Sequence, residues 1–201
     1  MKFDLNWGGL HKIISGGQNG ADQGGLMAAW HHNVETGGQA PLNYKTQIGY
    51  NPILEALNLS QGSDYSGRTK VNIDEADGTV IIAHNMGSPG TALTRACVLE
   101  ADKPLLELNI TSMIQLTLAG NSIMSDVVLE AAEKHASELY DWVVANQIQI
   151  LNVAGNREIQ SNGKSYGAMI VHKSVEHIVC MALNKLKVDD MVITKSDKLD
   201  F

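Results

Sequence analysis

The chain has 201 residues, 44% of them hydrophobic and 18% charged, with a net charge of −7 and a pI near 5.4. That length suits one domain with a sizeable core, and the balance is that of a globular protein and not of a disordered one. The negative field disfavours DNA, RNA and anionic membrane as partners, so an anionic ligand would have to be held by local backbone N–H groups and a few placed cations.

The opening segment, MKFDLNWGGLHK, carries an acid and no apolar core, so it does not read as a signal peptide. No apolar run is long enough to span a bilayer. Cys97 and Cys180 have neither metal-type nor redox-type spacing and fall in apolar helical patterns, which predicts reduced core thiols and a cytoplasmic protein. Residues 1–11 are expected to be an N-terminal extension, 12–186 a single ligand-binding domain, and 187–201 a polar tail.

A first strand is expected at 12–15, then a glycine-rich loop, a helix at 22–32 and a second strand near 33–36. Residues 37–66 read as a long connection with one helical turn at 52–57, and connections of that length are often functional. A short helix at 67–74 precedes GTVIIA at 78–83, a β-branched run that reads as a fully buried strand. The loop HNMGSPGT at 84–91 leads to a helix at 91–102. Pro104 stops that helix, and 105–110 is the next strand. Ser125 and Asp126 open a helix running to 146, with Val127, Val128, Leu129, Ala132, Ala136, Leu139 and Val143 on its apolar side. A strand at 148–154 ends at Gly155, and a last, largely apolar helix spans 166–186. Strands alternating with helices predict an α/β fold, a parallel sheet with helices on both faces in one domain.

Three strand-to-helix turns share a character: SGGQNGAD at 15–22, GSPGTALT at 87–94 and VAGNRE at 153–158. In a parallel sheet such turns all lie at the carboxyl edge of the strands, where ligands bind. Their glycines let backbone approach a phosphate or carboxylate, and the helix starts beyond them carry unpaired N–H groups and partial positive charge. Taken singly, each could be a tight turn followed by a capped helix. None is a Walker A loop and none has GxGxxG spacing. Three on one edge favour a binding cleft.

These stretches, with GGQAPLNYKTQIGYNP at 37–52 and RTKVNIDEADGT at 68–79, occur in an order that resembles the circularly permuted YpsA-like branch of the SLOG superfamily, from about residue 13 to 182. Its members include proteins described as carriers of molybdenum or its cofactor. The resemblance implies a Rossmann-like fold and a pocket for a nucleotide-like ligand. That pocket would be lined by Ser15, Gly16, Gly17, Gln18 and Asn19, by Gly87, Ser88, Gly90, Thr91 and Thr94, and by Gly155, Asn156, Arg157 and Glu158. Arg68 and Asn72, in the family's Arg-Thr-x-x-Asn pattern, would face it too. The residue types agree, because a fork-shaped guanidinium such as Arg68 or Arg157 suits phosphate.

Two departures bear on mechanism. The first loop of the family usually continues Gly-x-Asp-Arg, and here Gln23 follows Asp22. Relatives that cleave nucleotide N-glycosidic bonds carry PGGxGTxxE with a catalytic glutamate, and here Thr94 stands in its place. A hydroxyl cannot serve as a carboxylate base near neutral pH. Substitute carboxylates are Asp22, Glu158 and, further off, Asp77.

His84, where a strand enters the second loop, is read as a ligand contact and not a base. His31 and His32 are read as partners of a helix C-terminus, and His172 and His177 are badly spaced for one metal. Tyr44, Tyr50 and Tyr65 either pack the long connection down or form a lid. The expected function is non-catalytic binding (sequestration, sensing or carriage) of a nucleotide-derived, phosphorylated small molecule, linear or cyclic, such as a nucleotide immune signal that the protein sequesters. The alternatives are a phosphoribohydrolase-like enzyme and a molybdenum-cofactor carrier. No cofactor or metal is required. The apolar last helix suits burial against the sheet or sharing with a second subunit, and the family resemblance, whose members often pair, implies a homodimer or larger homo-oligomer.

Overall fold

Five short runs pair into one sheet: β1 (Lys12–Ile14), β2 (Glu35–Gly37), β3 (Gly78–Ala83), β4 (Leu105–Asn109) and β5 (Ile150–Gly155). The structure is a computed structural model that describes residues 9–62, 64–158, 160–161, 164–165 and 169–196. Every pairing in the sheet is parallel, and the order is β2-β1-β5-β3-β4. The run GTVIIA is buried at all six positions, as a strand covered on both faces must be.

The helices are α1 (Ala21–His31), α2 (Ile53–Ala56), α3 (Tyr65–Glu75), α4 (Pro89–Glu100), α5 (Thr111–Leu118), α6 (Asp126–Ala145) and α7 (Ile170–Ser196). Right-handed crossovers fix their sides of the sheet. Connections running from β1 to β2 and from β4 to β5 move one way along the sheet, and those running from β2 to β3 and from β3 to β4 move the other way. The packing follows. Residues of α1, α5, α6 and α7 share one core with Ile13, Val80, Ile82, Leu151 and Val153, whereas Ile73 of α3 packs with Cys97 and Val98 of α4 in another.

Written with β5 and α7 moved to the front, the strand order becomes 3-2-1-4-5, the doubly wound Rossmann order. The strand that would come first therefore comes last in this chain and lies in the middle of the sheet. Its neighbours β1 and β3 begin the two halves that run in opposite directions, so their carboxyl ends bound the switch point where such folds take ligands.

The glycines of the 15–25 stretch do separate jobs. Gly20 has φ 109°, and a Cβ there would lie 2.5 Å from the Asn156 carbonyl oxygen. Gly24 faces α7, where a Cβ would meet the His172 carbonyl oxygen at 2.5 Å, and Gly25 faces Val153, at 2.6 Å. Two of the five glycines in this segment, Gly24 and Gly25, serve helix and sheet packing.

Several elements differ from expectation. Asn33 turns at φ 57°, so β2 starts two residues late. The 37–66 connection holds two small ladders, Gln39–Ala40 with Ser60–Gln61 and Lys45–Thr46 with Gly49–Tyr50, besides the expected turn at α2. Tyr44 packs down, donating its hydroxyl proton to the Leu59 carbonyl at 3.0 Å, while Tyr50 is exposed. α5 was not anticipated: it is short, and only Asn109, accepting from the Thr111 N–H at 3.0 Å, marks its start. On α6, Val127 is exposed although the pattern put it with the buried Val128. Leu10, from the expected N-terminal extension, is buried in the main core. α7 continues through Ser196 into the expected polar tail, since 187–195 contains neither Gly nor Pro to stop it. The expected start of that helix at 166 lies outside the described residues. No helix among the described residues is long and apolar enough to cross a membrane.

Gly155 closes the sheet end, and a Cβ there would overlap the Ile82 carbonyl oxygen. Gly155→Ala should lower stability by about 3 kcal/mol, read as a fall in the urea midpoint with an unchanged slope.

Candidate functional site

The loop after β1 and the segment after β5 are tied together by backbone. Ala21 N–H donates to the Asn156 carbonyl and Glu158 N–H to the Asn19 carbonyl, each at 3.0 Å, and Gly20 bridges Arg157 in antiparallel fashion. The Ser15 hydroxyl, fully buried, donates to the Val153 carbonyl. Gln23, the departure from the family pattern, is buried and donates to the Gly17 carbonyl at 3.1 Å. It braces the loop from behind, while Leu54 and Leu59 close over Gly17.

Asn156 locks the second loop onto the third. Its Oδ1 accepts from Asn85 N–H at 2.7 Å, and its Nδ2 lies 3.1 Å from the Asn85 carbonyl, 3.1 Å from Ser88 Oγ and 3.2 Å from Thr91 Oγ1. Ser88 caps α4, accepting from Thr91 N–H at 3.3 Å, and Pro89 fills the first helical turn where no N–H is needed. The Thr94 hydroxyl donates to the Gly90 carbonyl at 3.1 Å.

Two hollows open at this edge and share Gly155. The wider, a cleft of about 560 Å³, runs between the β3–α4 loop and the segment after β5. His84, Ser88, Gly90, Gly155, Asn156 and Arg157 line it, with Asn85, Pro89 and Leu93, which sequence reasoning missed. The narrower, about 40 Å³, is walled by Gly16, Gln18, Asp22, Arg68, Asn72, Thr94 and Gly155. Thr69, Ala154 and Asn152 complete it. Asn152 was recoverable as a polar residue in an otherwise apolar strand; it is buried and donates to Thr79 Oγ1 at 3.2 Å. Arg68 is buried, with Nη1 donating to the Gly16 carbonyl at 3.4 Å, and Asn72 Oδ1 accepts from Gln39 N–H at 2.7 Å. Ser15, Gly17, Asn19, Gly87, Thr91 and Glu158 line neither hollow and act as its frame.

The carboxylates separate in role. Glu158 is buried and accepts from Val171 N–H at 3.0 Å and His172 N–H at 3.1 Å, capping α7. Asp77 lies at the opposite edge of the sheet, accepting from the Gln149 and Ile150 N–H groups at 2.9 and 2.7 Å. Asp22 stays at the site. Its Oδ2 accepts from Gln18 N–H at 3.1 Å, and burial pushes its carboxyl up to about 6, against the opposing pull of that hydrogen bond, Arg68 and Arg157. Burial also holds the His84 imidazole below its usual range, partly offset by the charge of Glu158.

Away from the site, His31 pairs with Glu176 at 3.1 Å, and Glu176 also receives Lys173 at 2.7 Å and His172 at 3.5 Å. The hydrogen bond from His172 leads in holding the Glu176 carboxyl down at about 2. His32 binds the Ala28 carbonyl at the end of α1, 2.9 Å away. Among the described residues no group of three His, Cys, Asp or Glu side chains is placed to hold a metal ion.

A parallel sheet with ligand-sized hollows at its switch point is a Rossmann-like α/β protein. The chain matches the circularly permutated YpsA SLOG family over residues 13–175, and it belongs to that family. It is similar to the crystal structure of a protein from Syntrophus aciditrophicus SB described as a "putative molybdenum carrier protein". The two are 30% identical with a TM-score of 0.68, over 87% of this chain and 96% of that one. No curated protein matches it.

Because burial raises the folded Asp22 carboxyl from the ordinary aspartate value near 3.8 to about 6, its ionised form is disfavoured by folding. The resulting loss of stability develops as pH rises from the lower value through the upper one. Asp22→Asn removes it, so the variant should be more stable than the parent by on the order of 3 kcal/mol at pH 7.5 and equal to it near pH 3.5, as measured by denaturant titration.

Proposed function

We propose that the protein holds a phosphorylated, nucleotide-like small molecule at the switch point and releases it unchanged. One observation carries this reading. The wide cleft has anion-ready loops and Arg157 but no carboxylate among its lining residues. Glu158 is committed to α7, Asp77 belongs to the far edge, and Asp22 faces the small hollow. Thr94, where hydrolytic relatives carry glutamate, is buried and bonded to Gly90. General acid–base cleavage of a glycosidic bond needs a proton donor and a base beside the scissile atoms. A cleft without them favours capture.

The cleft volume suits a mononucleotide-sized ligand. Holding without turnover covers both sequestration of a signalling nucleotide and carriage of molybdenum cofactor, a pterin bearing a phosphate. The Syntrophus protein lends support to carriage.

The test is to incubate the purified protein with nucleotides, cyclic nucleotides and molybdenum cofactor, remove free ligand, heat-denature, and identify what is released by mass spectrometry with a metal assay. Intact ligand is the expected outcome. Free base or ribose phosphate would overturn it. Arg157→Ala should weaken binding by about 10- to 100-fold through loss of a charged hydrogen bond, and Gly90→Asp should abolish it.

A further inference from the structure

The small hollow has chemistry of its own. At about 40 Å³ it holds on the order of three waters, too little for a base, a sugar or a pterin, yet enough for the oxygens of one compact oxyanion. Its wall brings together a buried guanidinium at Arg68, buried amides at Asn72 and Asn152, and the Thr94 hydroxyl. It also contains one carboxylate, Asp22, which takes the Gln18 N–H at the glycine-rich loop. That is the donor an arriving anion would use. Gly16 leaves room for this arrangement, since a Cβ there would sit 2.8 Å from Asp22 Oδ2.

We propose that this hollow is an oxyanion subsite with Asp22 as its internal stand-in. A tetrahedral dianion enters, takes over the Gln18 N–H and the field of Arg68, and Asp22 accepts one proton from solvent. No covalent bond forms or breaks. A dianion and an ionised carboxylate in so small a space repel each other, so occupancy and protonation rise together. The charged groups facing Asp22 are Arg68 from α3 and Arg157 from the segment after β5, and the other lining residues are uncharged. Guanidinium groups as a class stay charged at physiological pH, so the pH dependence is assigned to Asp22. Its carboxyl, already raised to about 6, is poised for this. The inference rests on the ligand-binding reading of the switch point and specifies where the phosphoryl or oxo group of that ligand sits. The shared chemistry fits a nucleotide phosphoryl group and free molybdate alike.

Sulfate is the probe, because its own charge does not change over the range used. Calorimetric titration of the whole protein in buffers of different ionisation heat should show uptake of about one proton per sulfate near pH 7. Affinity should be at least about tenfold higher near pH 5.5 than near pH 8. Asp22→Asn should bind sulfate near pH 8 as well as the parent does near pH 5.5, with no proton uptake. Arg68→Gln should lose binding at both values. Competition then separates the sources: displacement of sulfate by AMP assigns the subsite to a phosphoryl group, and displacement by molybdate alone assigns it to the free oxyanion. Sulfate binding without proton uptake, or a pH dependence that survives Asp22→Asn, would overturn the proposal. If AMP or molybdenum cofactor bound with no pH dependence, the cleft would stand and this subsite would fall. If sulfate bound with proton uptake while every nucleotide and pterin failed to bind, the reverse would hold.

Discussion

Between Ala21 N–H on the Asn156 carbonyl and Glu158 N–H on the Asn19 carbonyl, Gly20 runs antiparallel to Arg157, and these few atoms join the first β–α unit to the last. The approach is close because Gly20 has no Cβ and adopts a positive φ. From this seam the rest follows in both directions. On one side the 15–19 loop is held in place for Asp22 to accept from Gln18. On the other, Asn156 is aimed at Asn85, Ser88 and Thr91, so the β3–α4 loop takes its shape from β5. Glu158, at the end of the seam, reaches the first N–H groups of α7.

That last contact bears on where an anion can go. In a doubly wound fold the helix after the first strand offers its N-terminus to phosphate. With the permutation undone, that helix is α7, and its leading N–H groups are occupied by Glu158. The protein supplies its own anion there. At α1 the situation is different: no side chain makes a cap hydrogen bond at Gly20, and Asp22 reaches back to accept from Gln18 N–H in the loop. One internal carboxylate is a fixed part of the frame and the other is held against its solution preference.

What the sequence made legible was whatever depends on local pattern. GTVIIA could only be a buried strand, and the three glycine-containing turns had to fall on one edge once the sheet was parallel. What stayed hidden depends on distance in the chain. Glu158 caps a helix that begins twelve residues later, beyond the reach of any capping motif. Asn156 meets partners 65 to 71 residues away. Gly155, which both hollows share, sits against Ile82, a relation between strands that no single segment encodes.

The strand order has a consequence for how the molecule is made. β1 with β2 and β3 with β4 are two separate pairs until β5 slides between them, and β5 comes after all four in the chain. During synthesis the N-terminal parts therefore emerge with no continuous sheet to join, exposing unsatisfied strand edges that invite wrong pairing. Only when β5 arrives do the halves meet, and the same event brings Gly155, Asn156 and Arg157 to the switch point. A nascent chain that stops short of β5 has neither a continuous sheet nor the cleft, so the hollows at the switch point are among the last features of the molecule to form.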